Sequence, residues 1–458
     1  MYLLSIGLSE LEAPVSFAKF YKIWKSSQTL GFMKIRKASK NVCDECTILR
    51  NLAKRQEKPP AEVSEIDKSD ELIDIAGSQQ DKKEQRLQIH QQEYRSCRTA
   101  YMNDIQNAKC AESDISTFSF DFQQVVEIPR VPQQPSQWYY WSPFKLYVFG
   151  IVDDAVDQHY HTMFTEAQQG KGANQVVSIL HCFLTSIPRL TAKIHLWADN
   201  CGGQNKNKTM LWYLCWLVIT QNPKEIVLGF QIKGHTRNSV DRGFGTVKPK
   251  ANRNEVWIPE TYAELVDTTD KTDKIKAVRF YNDPPETLFR DWELACKPYL
   301  KALKGIQNYH FFRFASENPG IVEVKRLPQD KWIKVNLKKK DFLFSNFLSI
   351  EPKALPDIGL NPEQRHDLWN KYSPYVPSQY QNQWYYSKPE DQLISSVREK
   401  KNLRASNAKE ARREMAQELN NGKNFNDKLP ESQAAVAVKR GRGRPPGCKN
   451  KRKAVDSS

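Results

Sequence analysis

Between residues 113 and 250 the sequence alternates segments of strand period with segments of helix period, which constrains the fold more than any other feature. Ser116–Gln123 (STFSFDFQ) alternates apolar and polar residues, as a half-buried strand requires. Phe144–Val152 (FKLYVFGIV) is almost continuously apolar, a buried strand, and His159–Thr165 (HYHTMFT) is placed to return beside it as a hairpin. In Gly172–Leu184, Val176, Val177, Leu180 and Leu184 recur at helical spacing. Lys193–Ala198 (KIHLWA) reads as a strand ending at Asp199-Asn200, and an apolar helix from Asn205 to Ile219 opens after Gly202-Gly203. Glu225–Lys233 (EIVLGFQIK) is a further strand, followed by a helix or turn over Asn238–Lys248. The order β-β-β-α-β-α-β-α predicts an α/β fold with a mixed five-stranded sheet and helices on its faces.

The flanking regions differ in character. Residues 1–112 carry a Cys-x-x-Cys, a polar acidic stretch over 58–84 and a helical run from about 82 to 110, so a mostly helical domain is expected. Residues 251–388 are rich in Pro, Trp, Tyr and Lys. Within them, 321–327 and 330–337 read as a hairpin turning at Pro328-Gln329-Asp330, the mark of a small β-rich domain. Residues 389–458 are polar and basic, expected to be disordered beyond one helix over about 389–420. A chain that is 39% hydrophobic and 11% aromatic is not wholly disordered. Its longest apolar run, Thr209 to Thr220, is 12 residues, short of the ~20 that span a bilayer. Residues 1–12 lack a basic leader and carry Glu10 and Glu12, so no signal peptide is expected. Nine irregularly spaced cysteines then point to reduced thiols or metal, in a soluble intracellular protein.

Three acidic residues fall at useful places on this frame. Asp121 lies in the first strand between Phe120 and Phe122, Asp199 ends the central strand, and Asp241 opens the last helix, six residues after His235. A carboxylate among strand phenylalanines is costly unless it is paired, hydrogen-bonded or holding a metal. Carboxylates converging at one sheet edge suit Mg²⁺ or Mn²⁺, and two such ions can bind the attacking and leaving oxygens of a phosphodiester. Taken singly, each acid is equally a turn or cap residue. Glu166, after the third strand, offers a further ligand or a surface charge. Asn200, Gln204 and Asn205 serve either a nucleic-acid backbone or the cap of the next helix, and Lys206 and Lys208 either phosphate or solvent.

This strand order, with acids in the first strand, after the fourth and in the last helix, resembles the ribonuclease H-like (retroviral-integrase) superfamily. More narrowly, ADNCGGQNKNK (198–208), GHTRNSVDRGFGTVK (234–248) and the upstream Cys-x-x-Cys resemble a family of transposon-derived proteins with an integrase-like core. The resemblance covers roughly residues 20–380. It implies phosphodiester cleavage and strand transfer, with Asp121, Asp199 and Asp241 as catalytic Mg²⁺ or Mn²⁺ ligands and His235 as a helper near the metal or leaving group. Transposases work as multimers on two DNA ends, so self-association is implied as well. The alternatives are a catalytically inactive, domesticated transposase acting as a DNA or chromatin adaptor, and a nuclease acting on RNA·DNA hybrids.

Cys43 and Cys46 present two thiolates at a bite suited to tetrahedral Zn²⁺. His90 and Cys97 share a helix face and would complete the set, with Cys110 a further option. Cys182 and Cys215 read as helix-core residues, and Cys201 adjoins the carboxylates without a histidine partner placed by the sequence. At the other end, residues 398–458 hold 17 Lys and Arg against 7 Asp and Glu, a net +10 of the chain's +16. Within them Arg440, Arg442 and Arg444 lie in KRGRGRPPG, which resembles an AT-hook. There Arg side chains enter the narrow minor groove of A·T-rich DNA, and the same cluster would serve nuclear import. The expected partner is DNA and the expected compartment the nucleus.

Overall fold

The computed structural model describes residues 43–54, 70–110, 112–187, 191–221, 223–283 and 288–426. Two helices, α1 (Asp44–Lys54) and α2 (Asp70–Lys109), come first. They lead into β1 (Ile115–Phe122), β2 (Val126–Ile128), β3 (Phe144–Asp153), β4 (Gln158–Thr165), α3 (Ala173–Ser186) and β5 (Lys193–Ala198). Next come α4 (Lys208–Thr220), β6 (Glu225–Phe230), α5 (Ser239–Arg253), α6 (Pro259–Asp267) and β7 (Ile275–Arg279). The series continues with α7 (Trp292–Cys296), β8 (Phe311–Ala315), β9 (Ile321–Lys325), β10 (Ile333–Asn336) and α8 (Phe344–Leu348). The described residues fall into two compact units, one comprising those up to Ser136 with Pro143–Gly359, the other Gln137–Ser142 with those from Leu360 to Asn426. The second unit carries α9 (Pro362–Asp367) and α10 (Asp391–Asn426), the latter over the stretch where one helix is expected. Ion pairs from Lys401 to Asp367 (3.2 Å) and from Arg404 to Glu363 (2.8 Å) join those two helices.

The strands form one ten-stranded mixed sheet in the order β10-β9-β8-β6-β5-β1-β3-β4-β7, with β2 paired to β3. Central β1 runs parallel to β5, β5 parallel to β6, and β3 antiparallel to both β1 and β4. The five strands legible in the sequence are therefore its contiguous middle. Strands from 251–388 do not stand apart: β8, β9 and β10 continue the sheet antiparallel beyond β6, and β7 adds parallel to β4. Alternation explains the merger, because Phe312, Phe314, Val322 and Val324 bury into the same apolar layer as the middle strands.

That layer lies on one face of the sheet. Phe118 and Phe120, Ile194 and Leu196, Ile226 and Leu228 point into it and meet Val176 and Leu180 of α3 and Leu214 and Leu217 of α4. Helix α4 is apolar all round because it is enclosed, with Tyr213 against Trp292 of α7 at 4.8 Å and the indole of Trp212 donating to the Lys301 carbonyl. The opposite face is polar on β1 (Thr117, Ser119, Asp121) and is covered by α2 and α5. Tyr101 of α2 meets Trp197 of β5 edge-on at 5.2 Å, and the Trp197 indole donates to Asp104 of the same helix at 2.9 Å. Gly229, level with Trp197 on β6, leaves room for that ring, since a Cβ there would stand 2.8 Å from it. No described helix is long and apolar enough to cross a membrane.

Candidate active-site cleft and metal-ligand group

Register places the first two carboxylates side by side. Ser119 of β1 is level with Trp197 of β5, and the same offset sets Asp121 level with Asp199, just past the end of β5. Across the other edge of β1, Asp121 is paired with Gly150 of β3. A Cβ on Gly150 would lie 2.5 Å from Val240 Cγ1 and 2.7 Å from Phe244 Cζ, so α5 rests directly on this bare spot and brings Asp241 to the same end of the sheet. The charges feel one another. Burial first, then the neighbouring Asp199, and to a lesser degree Asp241, push the Asp121 carboxyl up to about 7, against the opposing pull of the Phe122 N–H.

Local hydrogen bonds fix each carboxylate. Asp121 accepts from the Phe122 N–H (2.7 Å), and Asp199 from the Cys201 N–H (3.0 Å) and Asn205 Nδ2 (2.6 Å). Asp241 accepts from the Asn238 N–H (3.1 Å) in a capping box that starts α5. The DNCGGQNKN stretch is thus mainly a device for presenting Asp199. The Cys201 carbonyl accepts from the N–H groups of Gln204, Asn205 and Lys206, Asn200 bonds the Gln231 carbonyl, and Asn207 caps α4 by accepting from the Met210 N–H. Asn200 is therefore engaged by Gln231 and Lys206, Asn205 gives its amide N–H to Asp199, and the helix cap is Asn207.

Lys206, expected at phosphate or in solvent, is instead 2% exposed. Its ammonium donates to Asn200 Oδ1 (2.9 Å) and the Gln307 carbonyl (3.3 Å) and lies over the Phe230 ring, and burial lowers its pKa to about 8. Lys208 is held by Glu293 at 2.8 Å and lies over Trp212. Glu166 is bound by Lys145 through both its N–H (2.8 Å) and its Nζ (3.1 Å), just past the end of β4 and five residues from His161, the residue level with Gly150.

The amino-terminal thiols gather a different set of partners from the one expected. Cys43 Sγ stands 3.3 Å from His90 Nε2, and Cys46 Sγ stands 3.4 Å from His235 Nε2. Among the described residues, these four form the group of Cys, His and acidic side chains whose ligand atoms all lie within 4.8 Å of one another, a set that can hold a metal ion. The three aspartates are more open than that. Cys97 is not in the set. It is fully buried beside Tyr101, Trp197 and Phe311, where burial pushes its thiol up to about 12. The fourth position is taken by His235, expected from sequence at the carboxylates. Cys110 is exposed, Cys182 and Cys215 pack in or against the main apolar cluster, and Arg440, Arg442 and Arg444 lie outside the described residues. Sequence reasoning also missed Glu45, between the two cysteines, whose carboxylate lies 3.3 Å from His90 Nδ1. Its position inside the Cys-x-x-Cys was the available signal.

Asp199 and His90 of the thiol–imidazole group share one cleft, Asp241 borders a separate groove, and Asp121 lines neither. A cleft of about 550 Å³ is lined by Asp199, Asn200 and Cys201 together with Glu45, His90 and Gly234. A groove of about 870 Å³ runs past Phe122 and Asp241 and is lined by Arg130 and Lys248.

Residues 140–330 match a family model described as a domain of unknown function (DUF7869). The matched span includes Asp199, His235 and Asp241 and leaves out β1, with Asp121, and the paired cysteines. A comparison with curated proteins finds no match.

Proposed function

We propose that this chain is a transposase- or integrase-like nuclear DNA-binding protein with a ribonuclease H-like core, cleaving and transferring DNA strands at Asp121, Asp199 and Asp241. The carrying observation is the placement of these residues: a carboxylate on the central strand, a second level with it after the parallel neighbour, and a third in the first turn of a helix seated on Gly150. The strand order β4-β3-β1-β5-β6, antiparallel on one side of β1 and parallel on the other, supports the same reading. So does the donor set, three oxygen ligands whose mutual repulsion Mg²⁺ or Mn²⁺ would relieve.

Bound in pairs, such ions supply Lewis-acid activation of water or a 3′-hydroxyl and stabilise the leaving oxygen. The protein supplies position. Cys201 N–H and Asn205 hold Asp199, the Asn238 cap holds Asp241, and β1 holds Asp121 between them. Arg130 and Lys248 line the groove beside Asp241, where they would meet backbone phosphate.

The test is Mg²⁺- or Mn²⁺-dependent nicking of duplex DNA by the purified protein, with Asp199→Ala alongside. Nicking by the native chain and none by the variant is expected. No nicking, with A·T-rich DNA still bound, would replace this reading with the catalytically silent adaptor. Cleavage confined to RNA·DNA hybrids would replace it with the hybrid nuclease.

A further inference from the structure

The four thiol and imidazole ligands come from separate stretches of the chain. Cys43 precedes α1 and Cys46 lies in its first turn, His90 is on α2, and His235 is in the connection from β6 to α5. A tetrahedral ion bonded at about 2.3 Å to sulfur and 2.0–2.1 Å to nitrogen requires donor separations of roughly 3.3–3.8 Å. The two sulfur–nitrogen separations, 3.3 and 3.4 Å, fit that polyhedron. The surroundings are built for it. Glu45 lies at His90 Nδ1, leaving Nε2 turned to the sulfurs, the outer carboxylate that metal-bound histidines commonly carry. Tyr94 stacks on His235 with ring centroids 3.8 Å apart and planes 8° from parallel. Gly234 takes φ of +81°, and a Cβ there would meet Cys43 at 2.8 Å, so the loop reaches the thiolates only with glycine at this position.

We propose that Cys43, Cys46, His90 and His235 bind one Zn²⁺ tetrahedrally, and that this ion fastens the α1–α2 pair to the β6–α5 connection. Two sulfurs and two imidazoles select a borderline-soft, tetrahedral ion over Mg²⁺ or Mn²⁺, which prefer oxygen. His235 is accordingly a structural ligand rather than a participant in strand cleavage. The assignment goes beyond the proposed DNA chemistry and stands or falls independently of it.

The experiment is metal analysis of the full-length protein, followed by Co²⁺ replacement. One zinc per chain is expected, and the cobalt form should show tetrahedral d–d bands with sulfur-to-cobalt charge transfer. His235→Ala and Cys46→Ser should lose the ion, whereas Cys97→Ser should keep it. Glu45→Gln should retain the spectrum with a 10–100-fold weaker affinity. Chelation should speed amide exchange both in the 231–238 connection and near His90. A metal-free native chain, a cobalt form without thiolate charge transfer, or loss of the ion in Cys97→Ser but not in His235→Ala would overturn the site. Unchanged exchange on chelation would overturn the fastening. Should His235→Ala fail to fold, the native cobalt spectrum and Glu45→Gln decide the site.

Discussion

Buried polar residues that carry no motif hold the face of the sheet behind the carboxylates. Ser119 of β1 donates to Asp154 at 2.5 Å, and the Tyr101 hydroxyl links Ser119 (3.0 Å) to Ser239 at the start of α5 (2.7 Å). Burial pushes the Asp154 carboxyl up to about 6, against the pull of the hydrogen bonds from Ser119 and Ser239. A carboxyl whose pKa rises on folding is better protonated in the folded chain. Its contribution therefore declines as pH rises from about 4 to about 6 and is level above that. Replacing Asp154 with Asn removes the decline, so the variant should gain on the native chain by on the order of 2–3 kcal/mol between pH 4 and pH 7.5. Urea unfolding at both pH values measures it, and a difference independent of pH would refute the assignment. At this scale the sequence was partly legible. Asp121, Asp199 and Asp241 stood out because each occupies a place that strand and helix periods define. His235 stood out as well but in the wrong company, because its sulfur partner Cys46 is 189 residues away and no local spacing records such a pairing. Cys97 misled for a geometric reason: seven residues from His90 keep it on the same helix face but carry it about 10 Å along the axis, into the next apolar patch.

Among the elements, α5 is seated through two missing side chains, Gly150 beneath it and its own Gly243, where a Cβ would stand 2.4 Å from His159 Nδ1. It lies on Gly150, where even one methyl group meets Val240 and Phe244 well inside contact distance. Gly150→Ala should destabilise the protein by about 1–3 kcal/mol, the usual cost of overfilling a packed interface. Because Asp241 rides on α5, the same variant should lose nicking activity while still binding DNA through its tail. Chemical denaturation with a parallel nicking assay tests both, and unchanged stability would mean that α5 shifts freely. Period and alternation make the middle five strands legible. They cannot report that β7 to β10 join the same sheet, because the partner of each such strand is chosen by non-local hydrogen bonds and shared burial.

For the molecule as a whole, charge is divided unevenly. Most of the excess lies in residues 398–458, whereas Lys206 and Lys208, the basic residues of the DNCGGQNKNK stretch, are already engaged within the fold. Affinity for DNA should therefore come largely from the tail. Removing residues 427–458 should weaken binding to A·T-rich duplex and flatten the dependence of log K on log salt by about 0.9 for each phosphate that the tail had neutralised. Fluorescence anisotropy across a salt series provides the measurement. An unaltered slope and an unaltered A·T preference would assign DNA binding to the folded units instead.

The central position of β1 bears on how the chain is made. Synthesis delivers this strand before any of its neighbours, and its parallel partner begins at Lys193, 78 residues after Ile115. At about 5–20 residues per second, the ribosome needs roughly 4–16 s to supply that partner. For that interval the strand carrying Asp121 has one unpaired edge, a row of free N–H and C=O groups open to pairing with another chain.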